Sequence, residues 1–237
     1  MNLIEVKNVT KSFDKQLVLD SISLNVQKGE CVVVVGPSGV GKSTLLRIIA
    51  GLETVDSGVV KVATDKVSMV FQGSALLNSY TVGENIELAL DHQEFTKEEK
   101  KEKILENLKL TGLEKYVNYF PDQLSGGQRK RVGFARAIAS NPKIILYDEP
   151  TTGLDPILST LIEDYMNKLS GEFKVASIIV THQLSTIKRT AQRVALLYKG
   201  KIIWEGTPGE FFKSDDLYVK QFVNAEVNGP IFSELLE

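Results

Sequence analysis

The run Gly36-Pro37-Ser38-Gly39-Val40-Gly41-Lys42-Ser43-Thr44 alternates glycines with small or hydroxyl residues and ends on a lysine and two hydroxyls. Glycines let a backbone wrap a phosphate chain with its N–H groups. Lys42 supplies positive charge for β- and γ-phosphates, Ser43 a hydroxyl for Mg²⁺, and Thr44 a hydroxyl for a phosphate oxygen. The apolar run CVVVV precedes this loop, and TLLRIIAGL, with helical periodicity, follows it. Strand, glycine-rich loop and helix in that order are the context that phosphate binding requires.

A second chemical cluster is written in KIILYDEP. Asp148 ends an apolar strand pattern, so its carboxylate emerges at the C-terminal edge of a parallel sheet, where the phosphate loop also lies. It suits Mg²⁺ binding through water. Neighbours on a strand point to opposite sides, which leaves Glu149 free to polarise an attacking water as general base. Alone, the Asp-Glu pair would equally fit an exposed strand end at a turn, as Pro150 suggests. His182 follows KVASIIVT at another strand end. It reads either as a structural hydrogen bonder or as a contact to a terminal phosphate and the attacking water. His92 lies near a charge run and reads as exposed. Two histidines and one cysteine are too few for a zinc site.

The stretch PDQLSGGQRKR reads as a turn, then Ser125 capping a glycine-rich helix start. Unpaired N–H groups and the helix dipole favour an anion there. The chain thus carries two anion sites.

Particular elements must position these groups. LIEVKNVTKSF and LVLDSISLNV alternate apolar and polar residues, as half-buried antiparallel strands do. CVVVV, KIILYD and KVASIIV are continuous apolar runs, as in strands buried on both faces. SGVVKVATDKVSMVF returns to strands, with Gly58 expected at the turn. From Tyr80 to Ala139 helical patterns dominate; TKEEKKEK reads as a solvated helix face opening at Thr96, with Glu99 completing a capping box. A helix is expected over ILSTLIEDYMNKLS, a hairpin over RVALLYKGKIIWEGTP turning at Lys199-Gly200, and short helices over GEFFKS and DDLYVKQFVNAEV.

The chain has 237 residues, 43% hydrophobic and 24% charged, enough for one substantial core with a subdomain. A net charge of −2 offers no general basic field for nucleic acid. The single cysteine excludes an internal disulfide and fits a reducing compartment. Cys31 opens an apolar run and reads as a buried strand residue rather than a reactive thiol. No stretch approaches the ~20 apolar residues that span a bilayer. The N-terminus lacks a basic segment followed by an apolar one. The expectation is an intracellular chain that relies on another protein to cross any membrane.

Together GPSGVGKST, LSGGQ, ILYDEPTTGLD and VTH, in this order, resemble the ATP-binding subunit of ABC transporters over essentially the whole chain. That resemblance implies an α/β fold, a P-loop NTPase ABC cassette with a RecA-like core, an antiparallel β subdomain and an inserted α-helical subdomain. The core and β subdomain would take residues 1–72 and 140–215, the helical subdomain 73–139 and a tail 216–237. It implies ATP and Mg²⁺ as ligands. Phe13 matches the aromatic that stacks on adenine, although it could equally pack the edge strand; Val18 would line the same base pocket. Gln72 matches the glutamine that reaches Mg²⁺ and the attacking water. Glu149 matches the catalytic carboxylate and His182 the switch histidine. Ser125, Gly126, Gly127 and Gln128 match the signature that holds the γ-phosphate bound by a second copy. Asp155 matches an aspartate that contacts the opposite subunit. The family implies a homodimer that closes on two ATP molecules and reopens after hydrolysis, moving an integral-membrane permease through the surface after Gln72.

FQGSALLNSYTVGENI and VKQFVNAEVNGPI are similar to the corresponding stretches of ATPases serving Mla-type (MCE-type) phospholipid transporters. That similarity implies an MCE-domain lipid-binding partner and a place on the cytoplasmic face of the inner (plasma) membrane. TTGLDP is also the wording of many ABC importers, so an ATPase importing a small solute such as an amino acid is the alternative within the family. A non-transport ABC ATPase would carry a long coiled coil between Gln72 and Leu124, where this chain has only a compact insert without sustained heptads. A P-loop kinase or GTPase has no use for LSGGQ.

Overall fold

The structure is a computed structural model that describes residues 1–91 and 94–231. The expectation for His92 lies outside the described residues, as does the end of the tail, 232–237.

Two sheets form the framework. Strands β1 (Asn2–Phe13) and β2 (Gln16–Gln27) pair as an antiparallel hairpin through Asp14 and Lys15, both at positive φ. Such a two-residue turn matches the twist of the flanking strands. The apolar residues of β1 and β2 alternate inward, burying Ile4, Val6, Leu24 and Val26. β4 (Ser57–Val62) pairs with the other edge of β1, giving the order β2-β1-β4. Gly58 is not at a turn, as the sequence suggested. It lies inside β4 at φ 90, beside an irregularity in the pairing with β1, where a Cβ would come within 2.3 Å of the Asn8 carbonyl oxygen. The glycine serves a close backbone approach, which a local pattern cannot distinguish from a turn.

The second sheet contains β3 (Cys31–Val35), β5 (Val67–Val70), β6 (Ile144–Asp148), β7 (Ala176–Val180), β8 (Arg193–Tyr198) and β9 (Lys201–Gly206). Their order is β5-β6-β7-β3-β8-β9, parallel except for β9. The hairpin β8–β9 turns at Lys199 and Gly200, both at positive φ, as expected. β3, β6 and β7 are buried along their whole length. Alternate residues of one strand therefore enter different cores. Val32 and Val34 pack with the antiparallel sheet and α1 (Lys42–Ile49). Cys31, Val33 and Val35 pack with helices on the opposite face. Full burial of each such valine contributes about 1.5 kcal/mol or more over exposure. The Cys31 thiol is pushed up to about 12 by burial, which keeps it protonated and inert.

The remaining helices are α2 (Val82–Glu87), α3 (Lys97–Leu110), α4 (Gly126–Ala139), α5 (Pro156–Gly171), α6 (Leu184–Thr190), α7 (Pro208–Phe211) and α8 (Leu217–Asn224). Thr81, Thr96 and Ser125 each open their helix with a capping box, closed by Glu84, Glu99 and Gln128. α3 buries only Ile104 and Leu108, so its charge run faces solvent. α4 belongs to two cores. Val132, Ala135 and Ala139 pack with α2 and α3, whereas Phe134, Ala137 and Ile138 pack under the six-stranded sheet. This one helix joins the insert to the strands. The C-terminal ends of β3, β5, β6 and β7 release their loops at one edge of the sheet, where α/β folds place ligands.

Candidate active site

The phosphate loop leaves β3 at Gly36, φ 152, where an added Cβ would lie 2.1 Å from the Leu197 carbonyl oxygen. It enters α1 through Gly41, φ 101, where a Cβ would lie 2.8 Å from Leu19 Cδ2. Only glycine combines these torsions with this proximity. The Lys42 side chain turns back over the loop, and its Nζ donates to the carbonyl oxygens of Gly36 at 2.8 Å and Pro37 at 2.7 Å. Burial lowers the Lys42 pKa; the nearby Glu149 and Asp148 carboxylates oppose that shift.

A cleft of 440 Å³ opens beside the loop. Ser38, Gly39, Gly41, Lys42, Ser43 and Thr44 line it, joined by Val18, Gln72, Asp148 and Glu149. With Val180, five separate stretches of sequence meet there. Val40 packs against the core instead. Phe13 does not line the cleft. It is 42% exposed at the end of β1, with the Lys11 ammonium 4.9 Å from its ring centre.

Ser43 Oγ donates to Asp148 Oδ1 at 2.9 Å. The two oxygen ligands expected for Mg²⁺ are therefore already adjacent. Burial raises the Asp148 pKa, the Ser43 hydrogen bond lowers it and the Glu149 charge raises it further. A divalent cation would reverse this balance by compensating both acids.

Glu149 is not a strand residue. β6 ends at Asp148, and Glu149 takes φ 50, a left-handed conformation. The alternation expected of strand neighbours therefore does not apply, and its carboxylate is aimed by the turn. Its N–H donates to the Val180 carbonyl oxygen at 2.9 Å. Its Oε2 accepts from Thr152 Oγ1 at 2.7 Å and from Thr181 Oγ1 at 3.3 Å; its Oε1 pairs with His182 Nδ1 at 2.8 Å. A carboxylate has about four lone-pair positions, so these partners orient it and leave capacity for a proton from water. His182 thus reaches the Glu149 carboxylate from the end of the neighbouring strand. Thr152 and Thr181 stand inside the motifs ILYDEPTTGLD and VTH, but their types alone assign them no role.

Ser125 to Gln128 do not line the cleft of their own chain. Gln128 N–H donates to Ser125 Oγ at 3.2 Å, and Gln128 Oε1 accepts from Ser125 N–H at 2.7 Å. This cap leaves the amides of exposed Gly126 and half-buried Gly127 unused. Asp155 caps α5, its Oδ1 accepting from Ile157 and Leu158 N–H at 3.0 Å each. Among the described residues no helix is long and apolar enough to cross a membrane.

Steric need for glycine at the loop, a lysine over it and a paired hydroxyl and carboxylate all fit a nucleotide phosphate chain with Mg²⁺. Comparison with known proteins agrees. The family described as ABC transporter matches residues 19–152. The chain is 38% identical to Protein TRIGALACTOSYLDIACYLGLYCEROL 3, chloroplastic, of Arabidopsis thaliana, over 97% of this chain and 75% of that protein. It is 37% identical to the methionine import ATP-binding protein MetN of Clostridium tetani, over 94% of this chain and 75% of that one. Its fold matches the dimeric post-hydrolysis state of the ATP-binding cassette MJ0796 bound to ADP and Pi, with a TM-score of 0.82 and 34% identity over 86% of this chain and 98% of that one. With this fold and this site, the chain belongs to the ABC transporter family, as an ATP-binding subunit that hydrolyses ATP with Mg²⁺.

Proposed function

We propose that this chain drives phospholipid movement in an Mla/MCE-type system, as a homodimer bound to an integral-membrane permease on the cytoplasmic face of the inner membrane, with an MCE-domain lipid-binding protein beyond it. The carrying observation is the segment Phe71–Ile86, whose wording resembles the permease-facing segment of those ATPases. In this chain Ser74 and Ala75 take left-handed torsions, and Arg136 of α4 donates to both their carbonyl oxygens at 3.0 and 2.8 Å. Leu77 and Tyr80 beyond them are exposed. A fixed turn bearing exposed apolar side chains suits docking on another protein. A relative named for the lipid trigalactosyldiacylglycerol is consistent with lipid cargo. The reading of a small-solute importer draws on the relative named for methionine import, at nearly the same identity.

In this mechanism Lys42 leaves the loop carbonyls for the β- and γ-phosphates, and the loop amides wrap them. Ser43, Asp148 and Gln72 would hold the cation. Mg²⁺, when bound, neutralises phosphate charge and aligns the transferred group. Glu149 accepts a proton from the attacking water while Thr152, Thr181 and His182 fix its carboxylate. Phe13 and Val18 receive the base. Ser125, the amides of Gly126 and Gly127, and Gln128 complete the site of a second copy, and Asp155 meets that copy. Residues 73–139 would move as a helical unit relative to 1–72 and 140–215, with 216–237 as a tail.

Cargo is tested by purifying the chain from its native membrane with whatever permease it holds. An attached MCE-domain protein and phospholipid-stimulated ATPase activity are expected. A solute-binding protein in its place, with stimulation by an amino acid, would overturn the lipid reading.

A further inference from the structure

Lys130 lies in the second turn of α4. Its side chain does not extend into solvent. Nζ donates to the carbonyl oxygen of Glu149 at 3.3 Å and, more closely, to that of Thr152. Both carbonyls belong to the turn that carries the catalytic carboxylate. Glu149 holds φ 50 there, a conformation that costs a non-glycine residue about 1 kcal/mol or more unless its surroundings define it. A second contact joins the same two elements. A Cβ on Gly127 would lie 3.3 Å from Leu154 Cδ2, so Leu154 packs directly on the backbone at the start of α4. Val132, Ala135 and Ala139 of this helix are core residues of the insert. The insert is therefore tied to the Glu149 turn by direct contact, besides its packing under the sheet.

We propose that Lys130 is a positioning residue for ATP hydrolysis, whose ammonium ties α4 to the turn of Glu149 and so holds that carboxylate in place. This rests on Glu149 being the base that polarises water. The tie acts within one chain. It also links two events, because the α4 start that would reach a partner's phosphate moves with the turn that aims its own Glu149. Burial lowers the Lys130 pKa, and the nearby Glu149 and Asp148 charges oppose that shift.

The experiment compares steady-state ATP hydrolysis by the full chain with Lys130→Met, Lys130→Arg and Glu149→Gln. Lys130→Met is expected to lose about tenfold or more in kcat with KM for ATP within about twofold. Lys130→Arg, which keeps donors for both carbonyls, is expected to recover most of the rate. Parental kcat in Lys130→Met, or an arginine variant as slow as the methionine one, overturns the proposal. If Lys130→Met melts below the assay temperature, Lys130→Gln replaces it under the same criteria. Glu149→Gln separates the two readings. Should it hydrolyse at the parental rate, the base assignment fails and the proposal with it; should it be silent while Lys130→Met is fully active, only the tie is overturned.

Discussion

His182 Nδ1 lies 2.8 Å from Glu149 Oε1, joining the second residue past β7 to the first residue past β6. The ring is otherwise open, with its side chain 57% exposed, whereas the Glu149 side chain is 9% exposed. An exposed ring thus holds a nearly buried carboxylate. Replacing His182 with alanine removes one of three side-chain partners of the carboxylate without touching the phosphate loop. His182→Ala is expected to lower kcat by about 10–100-fold and to leave ATP binding near parental. Single-turnover hydrolysis beside a fluorescent-nucleotide titration separates the two.

Asp148 predicts opposite effects on stability and activity. Burial raises its pKa, so the ionised form weakens the nucleotide-free fold. For a raised carboxylate, the stability contribution is complete below the ordinary carboxylate pKa and is lost as pH rises through the raised value. Asp148→Asn keeps an oxygen for the Ser43 hydroxyl and removes the charge. The nucleotide-free variant is expected to melt about 2 °C or more above the parent at pH 7, with the gap closing toward pH 4. Its Mg²⁺-dependent hydrolysis is expected to be lost. Melting curves across pH, run with ATP hydrolysis assays, check both signs.

Gly36 has no room for a side chain. The added Cβ would be 2.1 Å from a backbone oxygen of β8, which cannot swing away as a side chain can. Gly36→Ala is expected to cost more than about 2 kcal/mol, a fall of roughly 5 °C in melting temperature. Gly39→Ala meets no atom within 4 Å and carries only the torsional strain of φ 81, so it is expected to cost less. Thermal melts of the two variants give the comparison.

Much of this site is legible in the sequence because it follows from strand ends. GPSGVGKST, YDEP and VTH each close a buried apolar run, and a parallel sheet carries all three to one edge. Helix caps at Thr96 and Ser125 are equally local. What sequence does not show depends on contacts between distant segments. The left-handed turn at Glu149 is stabilised from Val180, 31 positions away in the chain (180 − 149), through a backbone hydrogen bond. Gly58 resembles a turn glycine until Asn8 is seen against it. Nothing in the helical pattern up to Ala139 distinguishes Lys130 and Arg136, yet both grip backbone carbonyls of other loops. Long basic side chains reach partners that no periodicity encodes.

Under the proposed mechanism the site is complete only when a second copy supplies its Ser125–Gln128 helix start. The direct measurement is the mass of Glu149→Gln in solution with Mg²⁺ and ATP, by light scattering after size exclusion. A mass twice that of the chain with ATP, falling to a single chain with ADP, is the predicted result. A single chain at ATP concentrations that saturate binding would contradict it.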